Sequence, residues 1–263
     1  MTKPTASREA TATVAPTTLV IDVGGTGLKA SVLDGNGVML TDRVRVPTTY
    51  PCAPDQLVAR LEQLVEPLPT FDRVSVGFPG VVRHGVVLSA PHFVTIHGPG
   101  TRIDKQLVAA WSGYDLAAAL TRSFAHPVRI MNDADIQGLD VISGTGVEVV
   151  ITLGTGLGFA IFENGRLGPH LELAQHPFRK GDTYNERVGD AARKKIGNRR
   201  WNKRMRRVIA TLDALAFFDH LYIGGGNAKH LTQDLAANVS VIDPDAGILG
   251  GLKLWDPPSA DGP

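Results

Sequence analysis

The sequence predicts an α/β protein made of two similar halves, each a mixed sheet with helices, and a cleft between them. Three short apolar strands run into glycine-rich turns near Gly24, Gly154 and Gly224. The order of strands, helix, strand, hairpin and helices that precedes Asn132 returns in large part from about Ile151. These observations indicate a duplicated structure in which the glycine turns come together.

The predicted halves are followed by one helix that returns to the first of them. Residues 17–131 are expected to form the first domain, and residues 132–245 the second. A helix within 246–258 is expected to pack back on the first domain. Residues 1–16 are rich in Thr, Ala and Pro and lack the apolar core of a signal peptide, so a flexible tail is expected there.

The first half begins with three predicted strands in a meander, at residues 17–23, 28–34 and 38–46. A hairpin signal, Asp34-Gly35-Asn36-Gly37, separates the second strand from the third. The turn Gly24-Gly25-Thr26-Gly27 after the first strand is not a P-loop, which ends in Gly-Lys-Ser/Thr and leads into a helix. It is not a dinucleotide-binding fingerprint either, since no helix follows it.

Local signals then predict a helix, a strand, a hairpin and two further helices. The first helix has leucines and valines at the spacing of one buried stripe. Residues 92–101 are irregular, and such a loop either contacts a ligand or simply connects two elements. The predicted bounds are 54–68 for the helix, 73–78 for the strand, 81–90 for the hairpin and 107–124 for the two helices.

Residues 128–158 carry the clearest chemical signal. An apolar strand ends at Asn132 and Asp133, and apolar residues continue from there at helical spacing. Asp133 is expected at a helix N-terminus, where the dipole favours its ionised form and its side chain either caps the helix or faces a ligand. The next strand runs into Gly154-Thr155-Gly156-Leu157-Gly158, whose amides can approach a phosphate closely. Together they suggest phosphoryl transfer.

The rest of the second half is predicted to alternate between hairpin, helices and strands. Residues 170–183 are irregular and rich in polar groups. The predicted elements are a hairpin at 158–166, helices at 184–196 and 201–218, a strand at 220–223 before Gly224-Gly225-Gly226, a helix from Asn227, a strand at 239–242 and a helix at 246–255.

Composition narrows the class of protein. The chain has 263 residues, of which 43% are hydrophobic and 20% charged, as in an ordinary globular protein. The single cysteine, Cys52, excludes an internal disulfide framework and a thiolate-rich zinc site, and it fits a cytoplasmic location. No apolar run approaches the roughly 20 residues of a membrane span, so no membrane partner is expected.

Positive charge is concentrated in one block. The net charge is +1, yet residues 193–207 contain nine cations and no acid. The block lacks the interleaved glutamates of a helix face held by salt bridges. It is therefore either a solvated helix face or a site that binds a polyanion. Trp201 in its middle is expected to anchor a helix to the core. The candidate anion-binding residues are Arg199, Arg200, Lys203 and Arg204.

Four motifs together resemble one known family. Asp22-Val23-Gly24-Gly25-Thr26 with Lys29 resembles the first phosphate motif of sugar kinases that share the actin and Hsp70 ATPase fold. With Asn132-Asp133-Ala134-Asp135 and the turns at Gly154 and Gly224, it resembles the ROK (repressor, open reading frame, kinase) family over residues 17–254. The phrases GFPGVVRHGVV, NDAD and ITLGTGLG are most similar to the polyphosphate glucokinases. The resemblance implies two ribonuclease-H-like domains with an interdomain cleft.

The resemblance also implies a role for each matching residue. Asp133 resembles the catalytic base that takes the proton of the sugar 6-hydroxyl, and Asn132 resembles its sugar-binding neighbour. Glu172 and Glu186 resemble glutamates that contact the sugar, and Gly80 is a further expected sugar-binding residue. Asp22 resembles the acid that holds Mg²⁺ through water. Such a set suffices for phosphoryl transfer. The implied donor-binding residues are Asp22, Gly24, Gly25, Thr26, Lys29, Gly154, Thr155, Gly156, Gly225 and Gly226.

One motif departs from the family pattern. Where the family has ExGH, this chain has Glu172-Leu173-Ala174-Gln175 followed by His176. Gln175 can hydrogen-bond a hydroxyl but cannot carry a proton, and His176 stands one residue late. Both are expected to contact the sugar, and a metal site of His170, Glu172 and His176 ranks below such contacts. The remaining histidines are expected in loops or at the surface: His84, His92, His97, His126, His220 and His230.

The expected activity is magnesium-dependent phosphoryl transfer from polyphosphate, ATP or both to a hexose, with glucose as the first candidate. The basic block favours polyphosphate, and nucleic acid is the less favoured polyanion. A cytoplasmic homodimer is expected. The alternatives are a kinase of mannose or an aminosugar and a catalytically degenerate sugar sensor. A repressor of the ROK type is disfavoured because only sixteen residues precede the first strand, too few for a helix-turn-helix domain.

Overall fold

The computed structural model describes residues 15–232, 234–242 and 246–256. Residues 1–14 of the expected tail lie outside this part of the chain. The first half contains, in chain order, β1 (Thr18–Val23), β2 (Gly27–Leu33), β3 (Val44–Pro47), α1 (Pro54–Val65), β4 (Arg73–Phe78), β5 (Val81–Arg83), β6 (Val86–Ser89), α2 (Lys105–Trp111), β7 (Tyr114–Asp115), α3 (Leu116–Phe124) and β8 (Val128–Asn132). The following elements are α4 (Asp133–Val141), β9 (Val147–Leu153), β10 (Leu157–Glu163), β11 (Arg166–Leu167), β12 (Pro177–Arg179), β13 (Asp182–Thr183), α5 (Tyr184–Val188), α6 (Asp190–Ile196), α7 (Asn198–Ala216), β14 (His220–Gly224), β15 (Val239–Val241) and α8 (Ala246–Lys253).

The first sheet joins an antiparallel meander to parallel strands. Its order is β3-β2-β1-β4-β8, with β1 antiparallel to β2 and parallel to β4. Helices α1 and α3 pack against each other and against this sheet. Leu57, Leu61 and Leu64 of α1 are buried in its core, because residues three and four apart lie on one face of a helix.

The second sheet repeats this plan. Its order is β11-β10-β9-β14-β15, with β9 antiparallel to β10 and parallel to β14. Helix α7 covers its core with Trp201, Met205, Val208 and Leu212, each 0% exposed. Trp201 also donates its indole N–H to the carbonyl of Val188 at 2.8 Å, which confirms its predicted role as an anchor.

Helices α4 and α8 connect the two halves. Helix α4 contacts β4 and β8 of the first sheet as well as β9 and β10 of the second, and α8 packs on α4, β1 and β4. Gly250 of α8 faces the carbonyl of Ile136 so closely that a side chain there would overlap it. Ser75 donates its hydroxyl to the carbonyl of Gly251 at 2.6 Å. The last helix therefore lies against the first sheet, while the domain boundaries stay a prediction.

Two predicted elements differ from the structure. The strand predicted at 38–46 is confined to Val44–Pro47, because Asp34 accepts hydrogen bonds from the amides of Asn36 and Val38 and closes a local turn. The helix predicted from Asn227 is only one 3₁₀ turn, Ala228–His230. Among the helices of the described residues, none has the length and apolar character that a membrane span needs.

Candidate active site

A cavity of about 300 Å³ is lined by residues of both halves. This volume is at the lower end of the range typical for small-molecule sites. It contains the ends of β1, β8, β9 and β14, so all three glycine turns meet there. The residues proposed from sequence that line it are Asp22, Gly24, Gly25, Thr26, Lys29, Gly80, Asn132, Asp133, Gly154, Thr155, Gly156, Glu172, Gly225 and Gly226.

The first two glycine turns occupy equivalent places in the two halves. The amide of Gly24 donates to the carbonyl of Gly27 at 3.0 Å, and the amide of Gly154 donates to that of Gly156 at 3.0 Å. Each turn joins the two strands of an antiparallel pair. Tyr50 donates its hydroxyl to the carbonyl of Gly25 at 2.7 Å, which fixes the first turn from outside. Two glycine turns, one from each half, thus face the same cavity.

The third glycine turn packs against the end of β9 and is hydrogen-bonded to the second turn. Gly225 has a φ of +82°, and a Cβ there would lie 2.5–2.8 Å from the backbone of Leu153, so only glycine fits. The amide of Asn227 donates to the carbonyl of Leu153 at 2.9 Å. Its side chain donates to the carbonyl of Gly154 at 3.0 Å. Asn227 therefore ties the third turn to the end of β9 and to the second turn.

Asp133 is the first residue of α4 and is only partly accessible. Burial raises the pKa of this carboxyl to about 7, and the charge of Asp22 acts in the same direction. A hydrogen bond of 3.0 Å from the amide of Ala134 to the carboxylate opposes that rise. The carboxyl therefore exchanges its proton near neutral pH, where a general base is most effective.

Asn132 joins the end of β8 to the start of α4. Its side-chain oxygen accepts from the amide of Ala134 at 2.8 Å as the N-cap of the helix. Its amide nitrogen donates to the carbonyl of Gly80 at 3.1 Å. In this conformation the amide group of Asn132 is used to fix the backbone beside Asp133, and its contact with a sugar stays a prediction.

Asp22 and Lys29 form an ion pair at the edge of the cavity. Their side chains are 2.7 Å apart and 46% and 34% exposed. No cluster of three or more His, Cys, Asp or Glu that could hold a metal occurs in the described part of the chain. Because Mg²⁺ commonly binds one or two carboxylates together with waters and substrate phosphates, Asp22 beside the glycine turns fits such a site.

The segment after β11 contributes Glu172 and Ala174 to the cavity. Gln175 and His176 are exposed and do not line it, because the chain turns through a 3₁₀ helix, Leu173–Gln175, that buries only Ala174. Their predicted contact with the sugar would require this segment to move. His170, which precedes the motif, instead lies beside Glu172, with 3.7 Å between its Nε2 and the carboxylate.

The carboxylate of Glu186 forms part of the cap of helix α5 in this structure. It is exposed, lies outside the cavity lining, and accepts from the amide of Thr183 at 2.7 Å. Thr183 in turn accepts from the amide of Glu186 at 3.2 Å, which completes a capping box for α5. The neighbouring Asn185 lines the cavity and accepts from the amide of Leu157 at 2.8 Å. Sugar contact by Glu186 stays a prediction.

The basic block runs along α6 and α7 and is joined to the second glycine turn through Asn227. Arg193 donates to the side-chain oxygen of Asn227 at 3.1 Å, and Asn227 holds the turn at Gly154. Arg204 donates to the carbonyl of Arg187 at 2.6 Å and is thereby tied to the protein. The other three candidate anion-binding residues are exposed: Arg199, Arg200 and Lys203.

One cavity residue lies in the loop that begins near residue 92. His92, assigned from the sequence to a loop or surface, lines the cavity, and a Cβ on Gly25 would lie 3.2 Å from its ring. Burial lowers the pKa of His92, although Glu172 opposes that change, so the imidazole is neutral near pH 7. The sequence marks residues 92–101 as a loop that either contacts a ligand or connects two elements, and the fold places His92 of this loop against the first glycine turn.

The comparisons with known proteins find the ROK family and sugar kinases. A model of the ROK family matches residues 18–169. A polyphosphate glucokinase of Mycobacterium tuberculosis (strain CDC 1551 / Oshkosh) is 30% identical over 218 residues, which cover 80% of this chain and 77% of that protein. An N-acetylmannosamine kinase of Escherichia coli O139:H28 is 31% identical over 159 residues, which cover 57% of this chain and 49% of that protein.

One solved structure has a similar fold over most of this chain. It is the crystal structure of an inorganic polyphosphate/ATP-glucomannokinase from Arthrobacter sp. strain KM, with 29% sequence identity and a TM-score of 0.76. The match covers 91% of this chain and 97% of that one. The arrangement of both sheets therefore belongs to the shared fold.

Proposed function

This chain belongs to the ROK family, and we propose from that premise that it transfers a phosphoryl group from polyphosphate, ATP or both to the 6-hydroxyl of a hexose. Its fold is the two-domain fold of actin, the Hsp70 ATPase and sugar kinases, as the sequence predicted. The family and its relatives make it a sugar kinase. Glucose as the sugar and polyphosphate as a donor are the finer parts of the proposal.

One observation carries the proposal. Three glycine turns from distant parts of the chain and the carboxylate of Asp133 line the same cavity. Phosphoryl transfer needs mainly an oriented hydroxyl and a site that holds and neutralises phosphates. The cavity offers both kinds of group within a volume that suits a small sugar beside the end of a phosphate chain.

In the proposed reaction Asp133 acts as the general base. The sugar oxygen attacks the terminal phosphorus of the donor, the bond to the bridging oxygen breaks, and Asp133 takes the hydroxyl proton. A pKa of about 7 supports this role, because the carboxyl is ionised in a large fraction of molecules at neutral pH yet basic enough to hold the proton. The N-terminus of α4 favours its ionised form.

On the donor side, the glycine turns would hold the terminal phosphates with backbone amides. Lys29 adds a positive charge at the edge of the same cavity. Asp22 is the residue that would hold Mg²⁺, which supplies positive charge next to the donor phosphates when bound.

The basic block supports polyphosphate as a donor. Three exposed cations lie on the first two turns of α7, and Arg193 at the start of the block donates to Asn227, which holds the turn at Gly154. A chain of phosphates that leaves the glycine turns can follow such a surface, whereas a nucleotide is too short to need it. ATP stays a second donor in the proposal. A homodimer stays a prediction.

A kinase of an N-acetylated aminosugar is the second candidate. The relatives include N-acetylmannosamine kinases, and the ExGH motif is altered at the two positions after Leu173. Ala174 lines the cavity where the family motif has glycine, so its methyl group reduces the space beside Glu172. A smaller space favours an unsubstituted hexose over an N-acetyl sugar, and this is why glucose and mannose rank first.

The test is a comparison of initial rates over a matrix of sugars and donors. Glucose, mannose and N-acetylmannosamine are each combined with polyphosphate or ATP in the presence of Mg²⁺. The proposal expects formation of a hexose 6-phosphate with glucose or mannose, and a higher kcat/KM with polyphosphate. Binding of a hexose without product from either donor would instead identify a degenerate sugar sensor. Exclusive turnover of N-acetylmannosamine would establish the second candidate.

A further inference from the structure

A histidine that the proposed reaction does not use lies between two carboxylates. Nδ1 of His170 is 3.3 Å from Oδ2 and 3.5 Å from Oδ1 of Asp135. On the other side of the ring, Nε2 is 3.7 Å from Oε2 of Glu172. The His170 side chain is 13% exposed and that of Asp135 is 5% exposed. At 3.7 Å the contact with Glu172 is an ion pair and not a hydrogen bond, and Nε2 is buried without a hydrogen-bond partner among the described residues. The imidazole therefore lies between helix α4 and the segment that carries Glu172.

This bridge joins two parts of the site that come from different elements. Asp135 lies on the first turn of α4, two residues after Asp133. Glu172 is partly exposed to the cavity, 29% by its side chain, and among the hydrogen bonds of the described residues none holds its carboxylate to the backbone. Without the imidazole, the position of Glu172 relative to Asp133 would depend on an unsupported side chain.

The surroundings favour a charged imidazole. The groups that face it are Asp135 of α4 and Glu172 of its own segment, while His92 approaches Glu172 from the first half. Burial by itself would lower the pKa of His170, but its interactions with Asp135 and Glu172 outweigh burial and raise the pKa to about 9. An imidazolium donates from both nitrogens, so one ring can serve both carboxylates at neutral pH.

We propose that His170 is a positioning residue that holds Glu172 against the sugar by tying it to Asp135 on helix α4. This inference rests on the proposed sugar-kinase function. It also gives the chain a histidine partner for Glu172 in place of Gln175 and His176, which are exposed outside the cavity. His170 does not line the cavity, whereas Glu172 does, so its effect on sugar binding passes through Glu172.

The kinetic test is a double-mutant cycle of His170→Asn and Glu172→Gln. Asparagine keeps a donor near the position of Nδ1 for Asp135 but is too short to reach Glu172 and carries no charge. We expect His170→Asn to raise KM for the hexose about tenfold or more, with KM for the donor within twofold and kcat within about threefold. In the Glu172→Gln background, the same change should have an effect below twofold.

Two outcomes of the cycle would overturn the inference. One is an unchanged hexose KM in His170→Asn, and the other is an equal loss in both backgrounds, which would mean that His170 acts independently of Glu172. The matched control is His84→Asn, in the exposed turn between β5 and β6, where φ is 51° and asparagine is well tolerated. This control should leave both KM values unchanged.

A second measurement does not depend on turnover. Nitrogen-15 NMR of the histidine side chains should show both ring nitrogens of His170 protonated at pH 7.5, and this state should be lost at lower pH in Glu172→Gln than in the wild type. A neutral His170 at pH 7.5 would overturn the inference even if His170→Asn does not fold. If no hexose is phosphorylated at all, the proposed function fails, while the NMR result still decides whether the bridge exists.

Discussion

Replacing Asp133 by Asn should make the protein more stable. Burial, assisted by Asp22, raises the pKa of Asp133 from 3.8 to about 7 in the folded state. Between these two pH values the folded chain keeps a proton that the unfolded chain has released, so stability falls as pH rises through this window. Each unit of pKa shift corresponds to about 1.36 kcal/mol, so above pH 7 the buried charge of Asp133 lowers the free energy of unfolding by on the order of 4 kcal/mol. Access of water from the cavity reduces it to roughly 2–4 kcal/mol.

The assay is urea unfolding of the wild type and Asp133→Asn at several pH values. Asparagine keeps the oxygen that accepts from the amide of Ala134 but has no charge to bury, so the variant avoids the penalty. The difference in unfolding free energy should be near zero at pH 4 and should reach roughly 2–4 kcal/mol in favour of the variant at pH 8. Asp42→Asn, at an exposed position, is the matched control and should show no such trend. A variant that is no more stable than the wild type at pH 8 would refute the reasoning about the buried carboxyl.

Three further predictions concern pH, the glycine turns and the basic block. In the wild type, kcat/KM for the hexose should fall about tenfold per pH unit below about pH 7, because only ionised Asp133 accepts the proton; a profile that stays flat down to pH 5 would argue against this base. Gly225→Ala should lower the unfolding free energy by about 2–4 kcal/mol, because the new Cβ meets the Leu153 backbone at 2.5–2.8 Å with φ at +82°. Gly226→Ala, which meets nothing within 4 Å, should fold normally, and equal melting temperatures of the two variants would count against the geometry. Changing Arg199, Arg200 and Lys203 together to Gln should lower kcat/KM about tenfold or more with polyphosphate and less than twofold with ATP. As a control, changing exposed Lys105 and Arg122 to Gln should alter kcat/KM with neither donor. Equal losses with both donors would exclude the basic block as a binding surface for polyphosphate.

Local patterns predict most of the strands but not whether each apolar run finds a partner. The strand at Thr18–Val23 and its glycine turn follow from an apolar run and its boundary. The run from Val38 looks similar, yet Val38 and Met39 are 60% and 48% exposed. The Asp34 turn, and not hydrophobicity, decides where the third strand begins.

The place of a candidate site residue in the fold can be predicted where a motif carries its own geometry. Asp133 follows from a strand-to-helix junction, and the glycines follow from strand ends that meet at one edge of a parallel arrangement. The contact between Thr183 and Glu186 could also have been predicted, because this spacing is the pattern of a capping box. His92 and the His170–Asp135 contact could not, since they join residues far apart in the chain through loops without a periodic signal.

The most direct test of the account measures sugar binding and phosphorylation in one pair of proteins. Wild type and Asp133→Asn are compared at pH 8 with glucose, polyphosphate and Mg²⁺, with glucose affinity measured by calorimetry and product by phosphorus-31 NMR. The account predicts that the wild type forms glucose 6-phosphate. It predicts that Asp133→Asn binds glucose within about threefold of the wild-type Kd but forms product about 10²–10⁴ times more slowly. Product formation by Asp133→Asn at close to the wild-type rate would contradict the account.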